Sequence, residues 1–397
     1  MKAGSWGSIW LVYLYSLLCA ASISKLIPIE GDIERALGAT PEGVGIAISL
    51  VSVFSAFAAT IGGGIIDRVG ARLSIIIASL VVILADVISF FAKTMFVLDL
   101  ARVLEGFEFI GIMVAAPALI MATTTGKRQV QAMSLWSTYV PTGFGLGLLL
   151  AVPFVGSPEW RWTFVVHGAL FAVAVSLGGL LPKIPREANA AKPVSPRLGI
   201  KELLSVYGEI GPVRLSISNA LLVSVGLGTS TVIPRYFAQT HHVSMATSSA
   251  ISAFTNLAMI AGAIMAGFAL SRGMRTISLY SGVAVMGVIV GFLLYAPWVA
   301  FSVAVTMLIL WALTTGVASA ALMALLPRVV KDPSRGGAAA GLVGQVMAVT
   351  NFVTPAIYYH FLGNGSWLYF VALVVVCWFG SLAFLPAWKL RPAAASS

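Results

Sequence analysis

Charge is scarce in this sequence. Aspartate, glutamate, lysine and arginine make up 10% of its 397 residues, against about 25% in an ordinary soluble domain. Apolar residues fill 59% of it, and the mean hydropathy is +0.98. A soluble chain of this length could not bury so much apolar surface and still coat itself with charge. The composition therefore excludes a soluble enzyme, and it excludes a nucleic-acid-binding domain despite the net charge of +10. Cysteine is nearly absent. Cys19 and Cys377 both lie inside apolar runs, which rules out a disulfide framework. No Cys/His spacing suits a metal, and no glycine-rich phosphate loop ends in Lys-Ser/Thr, so neither a metal, a cofactor nor ATP drive is expected.

What the sequence has instead is solid apolar runs about 20 residues long, the signature of membrane-spanning helices rather than of a barrel's alternating strands. They fall at about 9–28, 44–66, 73–91, 96–121, 132–155 and 161–181, then at about 214–238, 246–270, 277–296, 299–326, 337–360 and 365–387. The runs recur to the C-terminal region, so a lone signal peptide does not explain them. The expected fold is an all-α membrane protein of twelve helices in two six-helix bundles, 1–181 and 213–397, joined by a linker at 182–212. The linker carries Lys183, Arg186, Lys192, Arg197 and Lys201 with Pro185, Pro193 and Pro196 among them, and Ile200 to Tyr207 could form a short surface helix.

Basic residues orient the chain, because they remain on the cytoplasmic side. With the N-terminus inside, all but six of the 24 lysines and arginines fall in inside segments. The six are Lys25, Arg35, Lys93, Arg161 and Arg235 in outer loops and helix ends, and Arg102 within a span. The expectation is a multi-pass protein of the cell's inner membrane with both termini cytoplasmic, acting as a monomer.

The two halves echo each other. The second span runs into Gly63-Gly64-Ile65-Ile66-Asp67-Arg68-Val69-Gly70-Ala71-Arg72, and the eighth into Gly267-Phe268-Ala269-Leu270-Ser271-Arg272-Gly273-Met274-Arg275. The first stretch resembles the signature loop of the major facilitator superfamily, G-x-x-x-D-R-x-G-x-R, at Gly63, Asp67, Arg68, Gly70 and Arg72. The resemblance covers essentially the whole chain. It implies nested inverted repeats around a central cavity and transport by alternating access. It also implies a cytoplasmic gate in which Asp67 faces the positive N-terminal end of the eleventh helix. The second copy, with Arg272 and Arg275, has Ser271 where the carboxylate would stand. The combination of Arg102-Val103-Leu104-Glu105-Gly106, Trp136-Ser137-Thr138-Tyr139-Val140-Pro141 and Trp160-Arg161-Trp162 is similar to the cyanate-permease-like branch, which fixes no substrate.

Charges inside spans cost about 2.5–3.5 kcal/mol each and mark candidate sites. The fourth span carries Asp99, Arg102, Glu105 and Glu108. Its Arg102 and Gly106 match a second superfamily pattern, L-x-x-x-R-x-x-x-G, whose arginine is tied to proton transfer or substrate anions. Residues three apart share a helix surface, so Asp99, Arg102 and Glu105 are expected to form a ladder, with Glu108 continuing it about 18 Å deep. One arginine cannot neutralise three carboxylates, and a poorly paired carboxyl in a low dielectric binds protons reversibly. Glu105 and Glu108 are therefore candidates for proton coupling, with Asp86 on the third span and His167 on the sixth as further ones. The alternative is a structural Arg102–Glu105 pair. Arg235 is expected to snorkel to the interface. Trp136, Tyr139, Asn219, Asn256, Trp311, Gln345 and Asn351 could line a substrate cavity, although interhelical hydrogen bonds use the same residue types.

The sequence thus points to a proton-coupled carrier of a small organic solute. The alternatives are an efflux antiporter for amphiphilic or metal-chelating compounds and, in another class, a transport-inactive sensor or membrane enzyme on the same scaffold. Asp67→Asn should slow turnover while substrate binding survives, and Ser271→Ala should do much less, because the second loop has no carboxylate to lose. Comparable transport defects in the two variants would overturn this asymmetry.

Overall fold

The computed structural model describes residues 4–56, 69–182, 208–329, 336–363 and 365–386. Helices dominate, and there is no strand among the described residues. The first half holds α1 (Trp6–Ser24), α2 (Glu30–Leu37), α3 (Pro41–Leu50), α4 (Ala71–Phe91), α5 (Met95–Thr123), α6 (Gly126–Trp136), α7 (Tyr139–Ala151) and α8 (Trp162–Ser176). The second holds α9 (Ile210–His241), α10 (Met245–Thr255), α11 (Leu257–Ser271), α12 (Thr276–Tyr295), α13 (Phe301–Met323), α14 (Gly336–Gly363) and α15 (Trp367–Ala383). Ten helical stretches are long and apolar enough to cross a membrane, and the shorter Pro41–Leu50 and Trp367–Ala383 stand in the second and twelfth places. Described residues therefore reproduce the order of twelve spans. The linker between the halves lies almost wholly outside them, as do Gly63, Asp67 and Arg68.

Local chemistry sets the helix starts. Ser5, Thr40, Thr94 and Ser244 each stand in extended backbone at an N-terminus and accept from the amide three residues on, satisfying donors the helix leaves free. Pro41 follows Thr40 at the first helical position, where its missing N–H costs nothing. The fifth span is broken at Ser137–Thr138, just before Pro141, and the eighth at Asn256, whose side chain donates to Ser252 O at 2.8 Å. Pro355 lies inside α14 without dividing it. The repeat shows in the backbone too. Gly70 and Gly273 both take the left-handed conformation, with φ of 92° and 88°, two residues before Arg72 and Arg275. Arg72 then donates to Gly179 O at 3.2 Å at the end of the sixth span.

Two compact units are recognised, Met1–Lys192 with Thr231–Asn256 and Pro355–Asn364, and Pro193–Ser230 with Leu257–Thr354 and Gly365–Ser397. Lipid offers apolar side chains as good an environment as protein does, so helices here meet through small residues that let backbones approach. In the first unit, a Cβ on Gly143 would stand 2.4 Å from Leu17 O, and one on Gly147 2.4 Å from Ala21 O, so both glycines turn to α1. Gly145, between them, turns to α10, where a Cβ would stand 2.8 Å from Ala253 O. The alternating glycines after Pro141 thus give α7 two bare faces. In the second unit, Gly262 lies against Leu313 O and Gly316 against Met259 O, a reciprocal contact between α11 and α13.

Gly147→Ala should destabilise the folded chain by about 1–3 kcal/mol through overpacking, whereas Gly267→Ala, with open space where its Cβ would go, should be neutral or mildly stabilising. Thermal unfolding of the purified variants checks the contrast, and equal midpoints would refute the packing account.

Candidate functional site

The buried charges converge in the first unit, where α1, α3, α4, α5 and α8 meet. Lys25 closes the C-terminal end of α1 and is fully buried. It stands at a helix end, where the sequence places it, and the structure adds that it is enclosed among acidic partners. Its ammonium lies 2.5 Å from Asp86 Oδ1, 3.1 Å from Glu105 Oε1 and 2.9 Å from His167 Nδ1. One compact cation therefore joins α4, α5 and α8. The glycine after His167 permits the approach, because a Cβ on Gly168 would meet Asp86 Cβ at 3.3 Å.

Arg102 is the second buried cation. Its Nη1 donates to Glu105 Oε2, its Nη2 to Ser22 O at 2.8 Å and its Nε to Ala47 O at 3.1 Å. The guanidinium fork thus ties α5 to α1 and α3. Ser22 O is among the last carbonyls of α1, which have no donor within the helix and form the negative end of its dipole. Gly106 follows on α5, and a Cβ there would stand 3.1 Å from Val51 O.

His167 is fixed by four neighbours. Nε2 lies 3.1 Å from Leu18 O and 3.3 Å from Ser22 Oγ, and Nδ1 lies 2.7 Å from Asp86 Oδ2 as well as 2.9 Å from Lys25. A carbonyl only accepts, so Leu18 O assigns a hydrogen to Nε2. Nδ1 then has two options. It can accept from Lys25 as a neutral ring, or carry a second proton and donate to Asp86. The two differ by one proton, and each satisfies one neighbour at the expense of the other.

Glu108 differs from the rest of the set. It is fully buried, it faces Cys19, and neither carboxylate oxygen has a hydrogen-bond partner of ordinary geometry. The expected ladder on α5 is realised for Arg102 and Glu105. Asp99 is half-buried and its Oδ1 has no hydrogen-bond partner.

The other candidates divide between the two units. Trp136 and Tyr139 stack with ring centres 4.9 Å apart, and Trp136 Nε1 donates to Ser16 Oγ of α1 at 3.0 Å. Asn256 sits at the break in the eighth span. In the second unit, Asn219 is buried on α9, Gln345 and Asn351 are half-buried on α14, and Trp311 is packed edge-on against Trp378 beside Gly291. Ser271 donates to Phe268 O of its own helix at 2.8 Å, and Arg272 lies over the Phe268 ring. Arg235 pairs with Glu34 and lies 3.7 Å from Glu30 Oε1. Among the described residues no cluster of His, Cys, Asp and Glu could hold a metal ion.

The profile of the Major Facilitator Superfamily matches residues 9–355. The chain belongs to that superfamily. It is a multi-pass member of that family, with ten helical stretches among the described residues long and apolar enough to cross a membrane. The facilitated glucose transporter member 12 of solute carrier family 2 from Danio rerio is 30% identical over 179 residues, 42% of this chain and 29% of that protein. Inositol transporter 4 of Arabidopsis thaliana is 26% identical over 140 residues, 35% of this chain and 24% of that protein. The quinolone resistance protein NorB of Staphylococcus aureus is 26% identical over 161 residues, 40% and 34% of the two. The chain thus matches about a third or less of the length of these relatives. Among solved structures, a bacterial homologue of the human lysosomal transporter Spinster has a TM-score of 0.76 at 14% identity, with 97% of this chain and 95% of the other covered. A variant of the nucleoside transporter NupG has a TM-score of 0.76 at 14% identity, covering 96% and 100%. These likenesses show the fold.

Removing one partner of a buried ion pair leaves the other uncompensated, at about 3–5 kcal/mol. Lys25→Met should therefore lower the unfolding temperature sharply, and adding Asp86→Asn should restore part of the loss. A double variant no more stable than the additive sum of the singles would show that the two side chains do not act as a pair.

Proposed function

We propose that this chain is a proton-coupled secondary carrier of a small organic solute, working by alternating access in the cell's inner membrane, with Glu108 as the proton-carrying group. The observation that carries the reading is the charge balance of the buried set. Lys25 and Arg102 supply two positive charges, and Asp86, Glu105 and Glu108 supply three carboxylates. Lys25 and Arg102 are already engaged by Asp86 and Glu105, and Glu108 is the carboxylate left over. With His167 neutral, one proton brings the set to zero charge, and a surplus charge in a low-dielectric interior is expensive.

Two places can take that proton, Glu108 and Nδ1 of His167. Glu108 stands in the field of Glu105, Lys25 and Asp86, and Nδ1 of His167 lies against Asp86 and Lys25. A proton entering the set can be handed between them without breaking the bonds from Arg102 to α1 and α3. Glu108 also has no structural bond to lose when it changes charge, which suits a group that loads and unloads in each cycle. Trp136 and Tyr139 supply the aromatic wall near Cys19, and Asn219, Asn256, Trp311, Gln345 and Asn351 remain the candidate polar and aromatic wall elsewhere. The signature loop, Gly63 to Arg72, and its counterpart from Ser271 to Arg275 serve as the cytoplasmic gate. The distribution of basic residues supports cytoplasmic termini.

A second reading is proton-driven export of amphiphilic or metal-chelating compounds. The match to NorB supports it, and an acidic surplus suits cationic cargo.

Thermal stabilisation of the purified protein by a panel of sugars, inositols, nucleosides and quinolones would identify a transported compound. In proteoliposomes, an imposed pH gradient should then drive its accumulation. Glu108→Gln should reduce that accumulation at least tenfold and leave counterflow, which needs only exchange, within about twofold. Accumulation by Glu108→Gln and by Glu105→Gln equal to the parent's would remove Glu108 and Glu105 from the coupling role. Indifference of the parent to the pH gradient would remove coupling altogether.

A further inference from the structure

A second buried acidic cluster lies at the other side of the first unit's polar interior, on α2. Glu30 is 2% exposed although it sits on a short connecting helix. Its Oε2 accepts from the Tyr359 hydroxyl on α14, and its Oε1 lies 3.7 Å from Arg235 Nε on α9. Arg235 is already committed to Glu34, one turn along α2. Tyr359 is itself fully buried, and its hydroxyl also lies 3.5 Å from Thr231 O of α9. Gly45 of α3 makes room for it, because a Cβ there would stand 2.7 Å from Tyr359 Cβ. The cluster therefore clasps α2 and α3 to the segments of α9 and α14 that belong to the same unit.

We propose that Glu30 is a proton-binding site distinct from the Lys25–Glu108 set, and that its protonation closes the clasp between α2, α9 and α14. The geometry gives the protonated carboxyl a chain of bonds through Oε2, with Oε1 left beside Arg235 at 3.7 Å. Glu30 donates to the Tyr359 oxygen, and Tyr359 donates to Thr231 O. The ionised carboxyl must instead take Tyr359 as donor while sharing one guanidinium with Glu34, in a place where water does not reach it. Charge on Glu30 therefore favours opening the clasp and hydrating the carboxylate.

The groups facing Glu30 are Glu34 on its own helix, Arg235 on α9 and Tyr359 on α14. Asp32 is turned away, bound to Arg35 and to the Gly156 amide at 2.9 Å. Glu42 of α3 faces His360 at 3.6 Å. Burial pushes the Glu30 carboxyl up to about 8, against the lowering pull of Arg235 and of the Tyr359 hydrogen bond, with Glu34 adding to the rise. The sign follows. In water this carboxyl titrates near 4.5, so the closed clasp holds a proton that the open one releases. Closure is strongest in acid, weakens by up to about tenfold per pH unit as pH rises, and levels off above about pH 8.

The test uses a single reporter cysteine at Val44, a fully buried position beside Gly45. The native cysteines are buried and stay in place. Maleimide labelling rates of Val44→Cys are measured in the full-length purified chain from pH 5 to pH 9. Each rate is divided by that of Lys93→Cys, an exposed site, to cancel thiol ionisation. The expected ratio rises at least tenfold between pH 5 and pH 8 and then levels. In the Glu30→Gln background it should stay low and flat. Glu34→Gln releases Arg235 to Glu30 and should move the rise to lower pH, which provides a check if Glu30→Gln fails to fold. A ratio independent of pH in the parent, the same rise in Glu30→Gln, or an unmoved rise in Glu34→Gln would each overturn the proposal. Because labelling reads accessibility and not uptake, these outcomes are independent of whether Glu108 couples protons to transport.

Discussion

The buried ammonium of Lys25 is the contact on which the rest of the first unit's interior depends. Three side chains from three helices, Asp86, Glu105 and His167, point at it, and it is the one group that all three share. A single ammonium with three donors in a rough cone can serve partners that arrive from different directions, which suits the junction of α1, α4, α5 and α8. Arg102 does a complementary job. Its planar fork reaches one carboxylate and two backbone carbonyls at fixed angles, and so sets the rotation of α5 relative to α1 and α3. With the two cations fixed, the surplus falls on Glu108. On the proposed reading the remaining members of the set serve as the framework for that one carboxylate.

The polar junction needs close backbones to exist at all, and the glycines provide them. Gly168 brings α8 up to Asp86, Gly106 brings α5 up to Val51, and the glycines of α7 bring it to α1 on one face and α10 on the other. Charged and packing features are therefore parts of one design. Asp86 and His167 meet at short range because Gly168, beside His167, carries no Cβ to hold their helices apart.

Much of this was legible in the sequence. Apolar length gives the order of the spans, since a helix that must satisfy every backbone group inside lipid leaves little room for alternatives. The Arg102–Glu105 pair is a matter of helical spacing, and Asp86 and His167 stand out as polar groups in apolar runs. The burial of Lys25 is harder to see. It follows the first apolar run directly, and a rule that counts basic residues by side assigns it to the outer boundary without saying whether it faces water. Ile23 and Leu26-Ile27-Pro28 around it are apolar, and a cation embedded in such a stretch on the side where lysines are scarce was the available signal. The contact of Lys25 with Asp86 spans 61 positions, and no local pattern encodes it. The same holds for Tyr359 and Glu30, 329 positions apart. The pairing of Arg235 is hidden for a related reason, because the carboxylates that hold it belong to α2, far away along the chain.

The uneven sharing of structural bonds also bears on how such a protein can change over generations. Asp86, Glu105, Lys25 and Arg102 each hold another helix in place, so substitution at any of them disturbs the scaffold along with the charge balance. Glu108 faces the Cys19 thiol, and neither of its oxygens has a hydrogen bond of ordinary geometry. On the proposed reading, exchange at that position would alter the ion that accompanies the cargo and leave the architecture that moves the cargo intact. Energetic coupling and conformational cycling would then be separately heritable traits, with the boundary between them running between two glutamates three residues apart.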